Sequence, residues 1–420
     1  MVVMPKQNVP ALRLEGFDGE WEQSRLSDHL TLSEDTNANL EFGREDVYAV
    51  SLDEGLVNQI KFHGRSFAGK NLDNYDVIHT GEVVYTKSPL KFTPYGIFKS
   101  HFGATGIVSP LYAVYRTKPH TDARFVQDYF ALPERLNTYL SPLVNKGAKN
   151  TMNISDWDAL DGAVTFPPTL EEQQAIGAIF TNLDAAINQH TLKHKALQQA
   201  KTALMQRMFP QEGQTVPELR LEGFSGEWGS APLQQLASLF TDGDWIESKD
   251  QSTEGIRLLQ TGNVGIGTFV QKSATQKWVS EETFKRLRCQ EVLPGDILIS
   301  RLPDPAGRAC IVPMMPYRMI TAVDCTIVRL SEENDADYLV AYLGNPSYFE
   351  HIDTLLAGGT RQRVSRSQLA VVEIPVPPTL EEQQAIGAVF TQLDTLITAE
   401  AQYIKSLKQA KMALLQRMFI

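Results

Sequence analysis

Few residues in this chain have the type and spacing for chemistry, and none of them completes a catalytic set. Gly262, Gly265 and Gly267 lie in the run TGNVGIGTFV at 261–270. A dinucleotide site needs a full GxGxxG turn that opens a helix, with an acidic residue further on for the ribose. This run lacks that spacing, no helical pattern follows it, and it reads as a strand-to-turn glycine cluster. DPAG at 304–307 lacks the second proline and the aromatic of the [DN]PP[YF] motif. His190 and His194 stand one helical turn apart, a spacing that suits two metal ligands, but no third ligand accompanies them. Cys289, Cys310 and Cys325 form no CxxC pair, so neither a metal site nor a disulfide frame is expected. No P-loop, nucleophile elbow or HExxH is present, and nothing joins a general base, a nucleophile and an orienting group.

What the chain does hold is unevenly placed positive charge. The net charge is −11 over 420 residues. Residues 1–54 carry 4 Lys/Arg against 12 Asp/Glu, a net of −8. Residues 55–150 carry 12 against 6, a net of +6, and residues 255–330 carry 10 against 6, a net of +4. A further basic burst, GGTRQRVSRSQ at 358–368, contains Arg361, Arg363 and Arg366. Basic stretches inside an acidic chain exclude indiscriminate binding to polyanions and point to localised contact. No 18-residue apolar run suggests a membrane span. The start, MVVMPKQN, has no export-signal pattern, so a reduced cytoplasmic setting is expected.

The elements that must position these charges are announced by a repeat. PPTLEEQQAIGAIFTNLDAAINQHTLKHKALQQAKTALMQRMF at 167–209 recurs at 377–419, with 28 of 43 positions identical at an offset of 210. A shorter block, VPALRLEGFDGEW at 9–21, recurs as VPELRLEGFSGEW at 216–228. The stretches between short and long block differ across the halves. The long block predicts a helix. Paired prolines end what precedes it, Thr169 and Thr379 are N-caps, and Glu172 and Glu382 stand where a capping box places them. Apolar residues then recur in steps of three and four. His190, His194, Lys201, Glu400 and Lys411 are polar positions on that seam. About 40 residues make a rod of roughly 60 Å. Two such rods bury their stripes by packing antiparallel, which would set the inserts apart by a distance comparable to one DNA turn, about 34 Å. Phe180, Leu183, Ile187, Phe390, Leu393 and Ile397 are the expected packing or partner-interface residues.

Both inserts read as β-rich mixed α/β. In the second, GIRLL, LPGDILISR, RACIVP and MITAVDCTIVRL supply strands. SEETFKRLRC and DADYLVAYLGNPSYFEHI supply helices. In the first, TGEVVYTK takes the slot of PGDILISR, GIVSPLYAVYR that of ITAVDCTIVR, and DARFVQDYF that of DADYLVAYL. The fold class is therefore α+β, with two such inserts joined by two long antiparallel coiled-coil helices in pseudo-two-fold symmetry. The boundaries expected are 1–166 and 210–376 for the inserts, and 167–209 and 377–420 for the helices.

The twin PPTLEEQQAIGA blocks, the GDILIS strand and the stretch GGTRQRVS together resemble the specificity subunits of type I restriction–modification systems, over essentially the whole chain. The resemblance implies two target-recognition domains, each reading one half of a split DNA target. It implies a chain with no catalysis of its own, assembled in the cytoplasm with two methyltransferase subunits and with restriction/translocase subunits for phage defence. The methyl donor, S-adenosylmethionine, would belong to the partner, in an adenine-methylating complex. The implied double-stranded DNA contacts are Lys87, Lys91, Lys99, Lys146 and Lys149 in the first domain. In the second they are Asn263, Arg301, Arg308, Arg361, Arg363 and Arg366, through phosphates and base edges. NKGAKNTMNIS at 145–155 replaces the denser arginine cluster of the second half. Two other readings are a self-contained DNA methyltransferase, which the missing motifs disfavour, and a structural helical-hairpin adaptor.

Overall fold

The computed structural model describes residues 8–52, 54–88, 90–146, 152–358 and 362–420. The chain divides into two compact units, Met1–His190 with Gln402–Ile420, and Thr191–Ala401. In the first, β1 (Glu22–Arg25) pairs with β12 (Ala163–Phe166) and closes the insert at its base. One sheet runs β2 (Leu30–Leu32), β9 (Tyr112–Thr117), β6 (Val83–Thr86), β7 (Ile97–Ser100). The other runs β4 (Gly55–Asn58), β3 (Val47–Ser51), β8 (Gly106–Val108), β5 (Asp76–Ile78), with β3 and β8 parallel. Helices α1 (Gln59–His63), α2 (Ala123–Tyr129) and α3 (Pro133–Leu140) and the short pair β10 (Asn145–Lys146) and β11 (Met152–Asn153) complete it. The long helix α4 (Leu170–Arg207) follows.

The second unit repeats this plan. β13 (Gly229–Pro232) pairs with β23 (Glu373–Val376). One sheet runs β14 (Ala237–Asp242), β22 (Cys325–Leu330), β19 (Ile297–Ser300), β20 (Ala309–Ile311). The other runs β15 (Gln251–Ser252), β17 (Lys277–Val279), β16 (Ile256–Leu259), β21 (Met319–Thr321), β18 (Glu291–Val292), with β16 and β21 parallel. Helices α5 (Glu281–Leu287), α6 (Ala336–Tyr342), α7 (Pro346–Thr354) and α8 (Arg366–Ala370) precede the long helix α9 (Leu380–Arg417). The slots read from the sequence hold: β6 matches β19, β8 and β9 match β21 and β22, and α2 matches α6. One expectation is corrected. DADYLVAYLGNPSYFEHI is two helices rather than one, because Asn345 caps α7 and Pro346 occupies its first turn, where proline starts a helix and cannot continue one.

Each long helix has 38 residues, about 57 Å at 1.5 Å per residue. Within the first unit the head of α4 runs antiparallel to the tail of α9. Phe180 meets Phe419 at 5.7 Å, Asp184 accepts from Lys411 at 2.6 Å, and His190 lies edge-on to Tyr403 at 4.5 Å. Within the second unit the head of α9 meets the tail of α4 in the same register. Phe390 stacks on Phe209 at 5.8 Å, Asp394 pairs with Lys201 at 2.5 Å, and Glu400 pairs with Lys193 at 2.9 Å. Phe180 and Phe390 are buried, while Leu183 and Leu393 pack half-buried against the same clusters. Ile187 and Ile397 are half-buried.

The expected capping boxes form only in part. The Glu172 and Glu382 N–H groups donate to the hydroxyls of Thr169 (3.3 Å) and Thr379 (3.2 Å), but the carboxylates are taken by arginines of the short block. Arg13 grips Glu172 with two bonds of 2.8 and 2.7 Å, and Arg220 grips Glu382 with two of 2.8 Å. Both glutamates are buried to 1% exposure. The same arginines bond turn carbonyls at Asp18 and Ser225. Those turns require the left-handed backbone at Gly16 and Gly19, and at Gly223 and Gly226. The short block also reaches the far helix end, since the Leu12 N–H donates to the Arg417 carbonyl and Leu219 to Arg207, each at 2.8 Å. Substituting Arg13 by Met should strip the buried Glu172 of its partner and lower stability by about 3–5 kcal/mol. Replacing Glu172 by Leu as well should recover most of that loss in denaturant unfolding, and an equal loss in single and double variants would refute the pairing.

His29 gives the first unit a pH dependence. Its ring lies against Phe166 (4.5 Å) between the hydroxyls of Ser24 (2.8 Å) and Thr121 (3.0 Å). Burial, and then the neighbouring His120, lower its pKa to about 4. The folded state therefore resists a proton that the unfolded state accepts near 6.5, so this contribution is complete above pH 6.5 and lost as pH falls towards 4. The thermal midpoint of wild type relative to His29→Gln should decline across that window and level off below it. A constant difference would show that His29 binds its proton equally well in the folded and unfolded chain.

Candidate nucleic-acid interface

The inserts are fastened to the long helices through residues common to both copies of the repeat. Gln173 donates to the carbonyls of His120 (3.1 Å) and Pro167 (3.3 Å) and accepts from the Asp122 N–H (3.0 Å). Gln383 accepts from the Asp335 N–H at 2.9 Å. Asp122 and Asp335 in turn cap α2 and α6. Gly177 and Gly387 let these caps approach the long helices, since a Cβ would stand 3.2 Å from the Asp122 carboxylate and 2.7 Å from that of Asp335. Arg13, Arg220, Gln173 and Gln383 were missed as structural anchors in the sequence reading, although their identity in both copies was the signal that marked them.

The basic residues of the second unit divide into two sets. Arg308 is spent inside the fold. It donates to the carbonyls of Val264 (2.7 Å), Leu302 (2.7 Å), Pro305 (2.8 Å) and Thr261 (3.0 Å), and burial lowers its pKa. It thereby ties the glycine loop after β16 to the loop after β19. Asn263 is 4% exposed, accepts from the Gln260 N–H at 2.9 Å and donates to the Val270 carbonyl at 2.9 Å. The expected DNA contacts Arg308 and Asn263 are internal braces in the fold.

The other set gathers around Asp242 and Asp324. Arg301, 7% exposed, donates to the Val323 carbonyl at 2.6 Å, while its Nε lies 3.6 Å from Asp242 without a hydrogen-bond acceptor among the described residues. Arg363 stands 3.8 Å from Asp324, and Arg366 stands 4.0 Å from Asp242, with side chains 59% and 46% exposed. Such long, exposed pairs contribute about 0–1 kcal/mol, so a phosphate can replace the carboxylate at little cost. Arg361 lies outside the described residues.

In the first unit Lys87, just past β6, pairs with Asp156. Lys91 is exposed, with its ammonium 5.2 Å over the Phe92 ring. Lys99 is half-buried on β7. Lys146 lies on β10, its side chain outside the described set, and Lys149 lies outside the described residues. The three cysteines are buried and unpaired. Burial pushes the thiols of Cys289 and Cys325 up to about 11 and that of Cys310 up to about 12, which keeps them protonated. Among the described residues no group of three His, Cys, Asp or Glu is placed to hold a metal, and no helix is long and apolar enough to cross a membrane.

Comparison with known proteins agrees with this arrangement. Residues 244–409 match the family model of the type I restriction modification DNA specificity domain. Two specificity subunits from Methanocaldococcus jannaschii are similar in sequence. The MjaVIII subunit is 22% identical over 255 residues, covering 58% of this chain and 58% of that protein. The putative MjaX subunit is 23% identical over 279 residues, covering 64% and 61%. The chain thus spans about three fifths of the length of these relatives. In structure it is similar to the type I restriction-modification S subunit from M. genitalium (TM-score 0.60, 13% identity, 98% of this chain and 99% of that one). A chain from a study of type I complex assembly and conformational transition also matches (TM-score 0.51, 16% identity, 95% and 97%). The chain shares the fold of these proteins, and its residues 244–409 match the model of the type I restriction modification DNA specificity domain.

Proposed function

We propose that this chain is the non-catalytic DNA-recognition subunit of a type I restriction–modification complex. Each compact unit presents one reader, and the two together recognise a split, asymmetric duplex target. The observation that carries this reading is one core strand order built twice, with an added edge strand β15 in the second unit, on two matching sets of helix anchors, with different residues on the two inserts. Such a chain needs equal fastening and unequal surfaces. In the second reader the exposed pair Arg363 and Arg366 supplies phosphate or base-edge contact, with Arg301 beneath it. In the first, Lys87, Lys91 and Lys99 serve, with Lys146 and Lys149. The partners are two methyltransferase subunits, which bring S-adenosylmethionine, and translocase/nuclease subunits, all in the cytoplasm. The exposed remainder of the long helices is the surface offered to them.

Mapping methylated adenines in the host genome, with and without this gene, tests the reading. A bipartite motif should vanish on deletion. Unchanged methylation would leave a helical-hairpin adaptor as the better account. The two sets of arginines separate in a second experiment. Arg308→Met should lower the thermal midpoint, because it strands buried carbonyls at a cost of about 1–3 kcal/mol. Arg363→Gln with Arg366→Gln should leave the midpoint unchanged while weakening binding of the complex to its duplex. The opposite pattern would reverse the two assignments.

A further inference from the structure

The segment Gln59–Lys70 of the first unit has no part in the contacts assigned so far. Residues 55–72 contain Lys61, Arg65 and Lys70 and no acidic residue. All three cations are exposed, and among the described residues none is ion-paired. Two aromatic rings stand out of the same segment, Phe62 at 52% and Phe67 at 58% exposure. They are arranged rather than loose. The Arg65 guanidinium sits 4.9 Å over the Phe67 ring, and His63 lies edge-on to Phe62 at 4.8 Å and to Phe67 at 5.3 Å.

The backbone beneath is tied down. The Asn58 side chain caps α1 and donates to the Glu45 carbonyl at 2.6 Å. Gly64 turns the chain at φ 73°. The Gln59 side-chain Oε1 accepts from the Phe67 N–H at 2.7 Å, and Tyr75 Oη accepts from the Gly69 N–H at 3.3 Å. A surface held in place before binding loses less entropy when it binds.

The second unit supplies an internal control. Its matching helix α5 follows the matching strand β17, and its ends are built alike, with a polar N-cap at Ser280 and a left-handed C-cap at Arg288. There Phe284 packs against the hydrophobic core, Arg318 bonds Glu281 at 2.6 Å, and Arg286 bonds Asp250 at 2.6 Å. The fold therefore has a way to half-bury this ring and to pair a cation of this helix, and the first unit uses neither.

We propose that Gln59–Lys70 is a duplex-DNA contact element present in the first reader only. Lys61, Arg65 and Lys70 meet phosphates, and Phe62 and Phe67 lie against sugars and base edges. The charge argues for nucleic acid over a protein partner, since uncompensated cations beside apolar rings complement a polyanion whose grooves expose sugar and base-edge surface. The inference rests on the DNA-recognition reading above.

The test measures affinity of the chain assembled with its methyltransferase for a duplex carrying the mapped motif, across a salt series. Lys61→Gln, Arg65→Gln and Lys70→Gln together should flatten the slope of log K against log salt by about two to three. Phe62→Ala with Phe67→Ala should weaken binding roughly tenfold, with the slope unchanged. Thermal midpoints and co-purification with the methyltransferase should stay as in wild type. Variants that bind DNA as wild type does would overturn the proposal, and so would variants that keep DNA affinity but lose the methyltransferase. A wild-type complex with no salt-dependent affinity for that duplex would overturn the recognition reading itself.

Discussion

Each unit depends on one buried ion pair, Arg13 with Glu172 or Arg220 with Glu382. The carboxylate sits in the first turn of a long helix, where the helix dipole favours negative charge. The guanidinium arrives from a chain segment 159 or 162 residues away, already committed to a glycine turn of its own. An isolated buried carboxylate would be prohibitive, so the helix start and the short block are stable only together. Because the short block also bonds the end of the other long helix, one clamp joins three chain segments. The two copies of the short block and the two copies of the long block are thus halves of one device.

The Gln and Gly of the repeated block extend that device to the insert. Gln173 and Gln383 seize the residues that cap α2 and α6, and Gly177 and Gly387 leave room for those caps. With the insert held by its base and by one helix, its outer loops bear no load. The repeat is accordingly faithful where the chain is fastened and divergent in the inserts. The contrast between α1 and α5 makes this concrete: Phe284 is half-buried and Arg286 is ion-paired in one unit, while Phe62, Lys61 and Arg65 stand exposed in the other.

Positive charge alone does not identify a contact surface. Arg308 and Asn263 read as candidates by type and by their place in a glycine-rich stretch, yet both are occupied by backbone groups. Arg363 and Arg366 come from a stretch of the same composition, and they are held by carboxylates 3.8 and 4.0 Å away and, for Arg366, by a long bond of 3.5 Å to the Thr241 hydroxyl. The difference is the identity of the partner. A carbonyl inside a loop has no other donor to turn to, whereas an exposed carboxylate returns to water when a phosphate displaces it.

Much of the architecture was legible in the residues. The long helices followed from apolar spacing and threonine caps, and the strand slots followed from aligning the inserts to a common frame. Both signals are local, and the internal duplication doubled them. The break at Asn345–Pro346 was equally local and was overlooked in favour of the apolar run around it. Partnership across long chain distances was out of reach. Glu172 carries the pattern of a capping box, and only the folded chain brings Arg13 to claim it. Arg301, Arg308 and Arg366 are alike as letters, and their roles are set by which groups the tertiary structure packs around each guanidinium. The sequence by itself determined the elements and their duplication, because helix and strand periodicity are properties of neighbouring residues. Tertiary structure decided which charges are braces and which face solvent, because burial and hydrogen-bond competition exist only once distant segments meet.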